Sequence, residues 1–237
     1  MMIAKDTHPQ LRESAPLRRR APAPARALTL LMLTAATAGA NERDGWSVVP
    51  YVGISVLGDQ SPGIAGADDI VDGELDVAVD SGFTAGLGLR YAYDDSRWTS
   101  EVGWEYRSND STTTAADGSE LPDGNYASNT FYLNGRYDLI DGAIWTPWIG
   151  GGLTWIQEVD LDSEDEAGER SFADSGSVGF QLMAGVNRAL TERLYLSGEL
   201  RYSRQTDLEL AEEGGSGRVR DIDYAPLTLG LGVGVRF

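Results

Sequence analysis

The chain has 237 residues, with 37 acidic side chains against 19 basic ones, 29 glycines and no cysteine. The length fits one domain or two small ones, and the missing thiols exclude a disulfide framework or thiolate chemistry. An acidic balance with no basic face beyond the first 40 residues excludes a nucleic-acid binder, and glycines without a three-residue period exclude a collagen-like chain.

The N-terminus differs in kind from the rest. Arg18, Arg19 and Arg20 precede the apolar run ALTLLMLTAATAGA (27–40), which ends on Ala38, Gly39 and Ala40. A basic region, a short apolar run and a small-x-small ending describe a secretory signal peptide, with cleavage expected after Ala40. The run is too short to span a bilayer comfortably as an anchor. Residues 1–40 are therefore read as the signal and 41–237 as the mature domain. Cleavage removes six of the 19 basic and two of the 37 acidic residues, which leaves a net charge of −22. The only lysine, Lys5, and the only histidine, His8, leave with it.

From residue 46 onward the apolar residues recur with period two, which predicts strands over 46–57, 81–94, 97–108, 128–140, 143–157, 176–190, 192–205 and 223–237. Three connections are tight: 94–97, 140–143 and 190–192, rich in turn residues. They alternate with long segments over 58–80, 109–127, 158–175 and 206–222. That rhythm predicts an antiparallel up-and-down meander with every tight turn at one end.

One face of each strand is apolar, for example Phe83, Leu87 and Leu89, or Leu227, Leu229, Leu231 and Val233. The other carries glycine and charge. Period alone does not say which face is inside. Glycine crowds the polar face, which suits the bore of a small barrel. Aromatic residues gather towards the strand ends: Trp46, Tyr91, Tyr93, Trp98, Tyr137, Trp145 and Trp148 at the tight turns, and Phe83, Trp104, Tyr106, Trp155, Phe180, Tyr202 and Tyr224 at the long loops. Two aromatic belts around an apolar band, on strands long enough for a tilted span, predict an all-β, eight-stranded antiparallel up-and-down transmembrane β-barrel.

With its signal segment, eight alternating strands, short turns against long loops and a terminal GVGVRF (232–237), the chain resembles the small outer-membrane β-barrels of Gram-negative bacteria, of the OmpA-barrel and OmpX type. The resemblance covers essentially all of 44–237. It implies location in the outer membrane, contact with membrane lipid and lipopolysaccharide, and a monomer. It also implies that Phe237, with apolar residues at alternate positions before it, is the signal read by the barrel-assembly machinery. The peptidoglycan-binding domain that OmpA carries is not expected here.

The polar face yields the candidate site. Glu101, Glu105 and Glu199 oppose Arg90, Arg107, Arg136, Arg201 and Arg236. An eight-stranded bore has just enough room for side chains, and unpaired charges there would be costly. A closed, charge-paired interior follows; a conducting polar track is the alternative. A route for small apolar molecules of the kind attributed to OmpW-like barrels is disfavoured, because aliphatic interior residues look scarce. Glycines at 150–152 and 230–234 lie within strands rather than before a helix, so they are not phosphate loops. Without histidine no Ser–His–acid arrangement can be built; no enzyme and no cofactor are expected.

The long segments hold most of the acidic residues, densest in DLDSEDEAGE (160–169). Against a calcium-binding EF-hand the match fails, because Asp165 and Ser171 stand where glycine and glutamate belong. What remains is loose Ca²⁺ or Mg²⁺ binding by Asp160, Asp162, Glu164, Asp165 and Glu166. Mutual repulsion of these charges predicts an extended, mobile crown.

Overall fold

Alternating residues do build the strands, and the strands close. In the computed structural model the described residues are 45–237 without 68–69, 71, 122–123, 141–143, 166–167, 175, 206–207 and 213–215, with backbone only over 161–171. The expected signal peptide lies outside them. Eight long strands form the wall: β1 Gly45–Val56, β2 Gly82–Ala92, β3 Trp98–Thr114, β4 Gly124–Asp138, β5 Trp145–Asp165, β6 Val178–Ala189, β7 Leu194–Gln205 and β8 Leu227–Arg236. Each pairs antiparallel with its neighbour, and β8 returns to β1 in the register Ser47 with Arg236 to Val56 with Leu227. The ring has no free edge.

The polarity is inverted relative to a water-soluble barrel. Val52, Leu153 and Leu231 are 64%, 61% and 69% exposed, while Thr84, Glu101 and Arg201 are each 1% exposed. An outer band of this kind requires hydrocarbon as its solvent. Ring pairs sit at both margins: Trp46 on Tyr91 and Trp98 on Tyr137 at the tight-turn end, Phe83 on Tyr106 and Phe131 on Trp155 at the other. Trp148 and Tyr224, expected in these belts, are instead 1% exposed and point into the barrel. Trp148 has the parity of the inward residues Thr154 and Ile156, and Tyr224 that of Thr228.

Inward glycines make room for inward rings. A Cβ on Gly103 would lie 2.3 Å from the Tyr132 ring, and one on Gly185 2.4 Å from Trp148. Gly86 faces Tyr51 and Gly234 faces Tyr195 in the same way. Glycine on the polar face is thus the partner of a bulky side chain across or along the bore.

The long-loop end departs from the sequence expectation. β3 and β5 run on well past the apolar band, and short strands at Gly63–Ala65, Gly73–Glu74, Asp76–Val79, Gly168–Asp174, Leu210–Glu212 and Arg218–Arg220 pair above it. The sheet register slips between Asn129 and Thr130, which leaves Gln157 unpaired opposite them. This bulge reverses the facing of β5: Ile156 points in, and so does Val159. An apolar cluster forms inside the extension, including Leu57, Ile64, Val77, Tyr126, Ile156, Val159, Phe172, Leu210, Val219 and Tyr224. In place of the expected extended, mobile crown, the described parts of the long segments fold over an apolar core. Apolar burial in the core offsets the repulsion among charges that remain in water.

Two measurements probe this architecture. Arginine at Leu231, in the middle of β8, should cost about 2–4 kcal/mol in refolding free energy in lipid; a cost below about 0.5 kcal/mol would mean that this face does not meet hydrocarbon. Truncating the fully buried Ile156 to alanine should cost about 2–4 kcal/mol locally and speed proteolysis within 158–175 and 206–222, with the spanning band still protected. Equal cleavage rates in the two proteins would rule out the packed extension.

Candidate functional site

Seven of the eight predicted charges meet in the bore. Arg90 projects from β2, Glu101, Glu105 and Arg107 from β3, Arg136 from β4, and Glu199 and Arg201 from β7. All seven side chains are at most 5% exposed. Strand alternation aims each of them inward, and the antiparallel register stacks them along one stretch of the bore. Arg90 stands opposite Glu101 across the β2–β3 pair.

The contacts form a continuous chain. Arg90 Nε donates to Glu101 Oε1 at 2.8 Å, and its Nη2 reaches Glu199 Oε2 at 3.3 Å. Arg201 pairs with Glu199 on one side and, through Nη1, with Glu105 Oε2 at 2.9 Å on the other. Arg107 closes on Glu105 and donates to Thr228 Oγ1 at 3.0 Å and to the Tyr224 hydroxyl at 3.1 Å. Tyr51 joins the middle: its hydroxyl donates to Glu105 Oε2 at 2.9 Å and accepts from Arg201 Nη1 at 3.0 Å. Charge-assisted bonds of this kind are the strong ones, and in a dry bore they are also the ones that must be made.

Arg136 is bound differently. Its Nη1 is 3.7 Å from Glu101 Oε2, too far for a hydrogen bond, and neither terminal nitrogen has a hydrogen-bond partner among the described residues. The guanidinium lies 3.4 Å from the centroid of the Trp148 ring instead. The eighth charge, Arg236, sits apart from these seven. It sits half-buried at the tight-turn rim, donates to the Glu192 carbonyl at 3.0 Å and lies over the Tyr195 ring. Its place at the last paired position of β8, opposite Ser47, sets its depth, and depth along the strand is invisible to period two.

The neutral members were not singled out from the sequence. Tyr195 shares a hydrogen bond with Ser47 at 3.0 Å, and Gln181 Nε2 donates to Asn134 Oδ1, whose amide reaches Glu101 at 3.4 Å. Parity alone would have flagged them. Tyr224 ends the network on one side: its hydroxyl meets Arg107 and Ser128, and its ring stacks on Tyr126 in the apolar cluster. The bore therefore has three storeys: a tight-turn rim, a charged middle, and an apolar cap.

Of the acidic residues weighed for cations, Asp160 is half-buried on β5, while the side chains of Asp162, Glu164, Asp165 and Glu166 lie outside the described residues. Among the described residues no group of three or more potential ligands comes together. The backbone over 160–165 is strand paired to Gly168–Asp174. Phe237 follows β8 with its amide donating to the Trp46 carbonyl at 3.0 Å.

Comparison with known proteins agrees with the fold. The family model described as outer membrane protein beta-barrel domain matches residues 26–237. No curated protein sequence matches the chain. Among solved structures, the chain is similar to the outer membrane protein OprG from Pseudomonas aeruginosa, at 18% identity over 83% of this chain and 99% of that one, with a TM-score of 0.57. It is also similar to Neisserial surface protein A, at 15% identity over 81% and 97%, with a TM-score of 0.49.

The charged middle predicts a coupled energetic response. Glu101→Gln leaves Arg90 and Arg136 facing a neutral amide and should destabilise the lipid-embedded barrel by about 3–5 kcal/mol in urea unfolding. Adding Arg136→Met restores the original charge balance and should recover part of that loss. Strict additivity of the two single effects would show that the groups act independently.

Proposed function

The chain belongs to the outer membrane protein β-barrel family, and on that premise we propose that it is a closed, monomeric barrel of structural or interaction type that works through its long-loop face. The observation that carries this reading is the filling of the bore. Seven charged side chains and four inward aromatic rings, Tyr51, Tyr132, Trp148 and Tyr195, occupy the cross-section, each at most 6% exposed. An eight-stranded wall leaves no additional width for a water-filled passage. Burial of Ile64, Val77, Leu210 and Val219 in the apolar cap supports the same conclusion at the other end.

In this reading the long-loop end faces away from the cell and the tight turns face the periplasm, as the resemblance to small outer-membrane barrels implies. The folded extension then presents its polar exterior to partners, with ion pairs such as Arg204 with Asp223 at 3.2 Å on its surface. Acidic side chains next to the phosphates of lipopolysaccharide call for divalent cations between them, held loosely by carboxylate oxygens. No bond-making chemistry is assigned to the interior: its glutamates are already engaged by arginine.

The apolar cap favours one second reading. Aliphatic residues are not scarce inside the barrel, as the sequence suggested; they are gathered at the long-loop end. A small apolar molecule held there could not continue down the axis through the charged middle, so it would have to leave sideways through the wall. Transport of this kind needs the cap to loosen, whereas the first reading needs it to stay shut.

Single-channel recording of the refolded protein in planar bilayers separates closed from conducting barrels. Absent or very small conductance at neutral pH is the expected result, and a large steady pore would overturn the closed reading. In the same preparation, an apolar fluorescent dye whose binding is lost in Ile156→Arg would support the sideways route instead.

A further inference from the structure

The network in the bore is one negative charge short. Four arginines, Arg90, Arg107, Arg136 and Arg201, face three glutamates, Glu101, Glu105 and Glu199, all of them buried. The shortfall is localised. Arg90 uses all three of its nitrogens, on Glu101, Glu199, Tyr195 and Ser197. Arg107 and Arg201 each hold a carboxylate and at least one hydroxyl. Arg136 alone among the four has both terminal nitrogens without a hydrogen bond among the described residues, at 2% side-chain exposure.

That guanidinium lines a cavity of about 100 Å³ at the tight-turn end of the bore, several water molecules' worth of space. Arg90 and Arg236 line the same cavity, and Asp138 is the one acidic side chain among the described lining residues. The centroid of the Trp148 ring lies 3.4 Å from the Arg136 guanidinium carbon and the ring covers one face of it, so any further hydrogen-bond partner has to come from the edge. A rigid fork of donors presented edge-on matches the geometry of a planar or tetrahedral oxyanion. Among the described lining residues basic side chains outnumber acidic ones, and such an excess in a partly enclosed space raises the local concentration of small anions.

We propose that this cavity binds a small free oxyanion of the phosphate or carboxylate class, with Arg136 as its principal donor, and that the bound ion completes the charge balance of the bore. The site is independent of whether the barrel conducts. It lies inside the wall at the tight-turn rim, so the ion arrives from the aqueous side and not from the bilayer.

Inorganic phosphate is the probe, added to full-length protein refolded in a non-ionic detergent, so that no lipid phosphate competes. Ligand that binds only the folded state raises its stability with concentration. The midpoint of heat-induced loss of the compact band on gels should rise by about 3–5 °C for each tenfold excess of phosphate over its dissociation constant. Chloride at equal ionic strength should raise it less. Arg136→Met should lose the phosphate-dependent rise whatever its midpoint without phosphate; a purely structural arginine would instead leave the variant weaker at every phosphate concentration by the same margin. If Arg136→Met does not refold, Arg236→Gln at the exposed rim should reduce the rise without abolishing it. Phosphorus-31 line broadening of free phosphate by the unmodified protein gives a readout that needs no variant. Absence of broadening, an equal response to chloride, or an unchanged phosphate response in Arg136→Met would each overturn the proposal.

Discussion

An eight-stranded ring encloses a bore only as wide as the side chains that fill it, and most of what is described above is a response to that limit. The wall must be closed because hydrocarbon offers no partner for a free amide. Closing it at eight strands then forces charged and aromatic side chains into contact. Gly103 and Gly185 are present because Tyr132 and Trp148 need the space beside them. Glu105 has three partners, Arg107, Arg201 and Tyr51, because no water can replace any of them. A wider barrel would relax all of these requirements at once and would also leak.

The polarity of the interior changes along its axis. Charge fills the middle, apolar side chains fill the long-loop end, and Tyr224 joins the two with its hydroxyl in one and its ring in the other. On the proposed closed reading each layer opposes what the other would pass: ions meet the apolar cap, and apolar molecules meet the arginines. This double exclusion favours a protein that acts at its surface. It also confines any transport reading to a path that leaves the axis.

Sequence periodicity identified all eight wall strands, because each alternates cleanly between hydrocarbon and bore. It failed where alternation stops being the controlling pattern. β5 looked finished at 157 because the bulge opposite Asn129 and Thr130 reverses its facing, so Val159 breaks the period while the strand continues. The upper half of β3, with Ser111, Thr112 and Thr113, has no apolar face to reveal it. The apolar cap is assembled from single residues on separate short segments, Ile64, Leu210 and Val219 among them, and no window along the chain contains the pattern. Trp148 and Tyr224 were readable and were misassigned: grouping aromatics by their distance from strand ends hid a parity that points them inward. The charge network was legible as a set, since parity selects it, but its pairing was not. Arg136 and Arg236 differ from the other arginines in depth and neighbours, which only the register supplies.

Closure joins the two wall strands furthest apart in sequence, β1 and β8, and the interior contacts straddle that junction: Tyr51 on β1 meets Arg201, and Thr228 on β8 meets Arg107. A sheet inserted before the junction zips would bare arginine and glutamate to acyl chains along its concave side. Biogenesis is therefore constrained to couple insertion with circularisation, and an arrested half-ring is a species the bilayer itself rejects. Contacts of such long sequence separation form late and slowly. The seam between the first and last strands is thus the part of the wall whose two edges have to find each other from opposite ends of the chain.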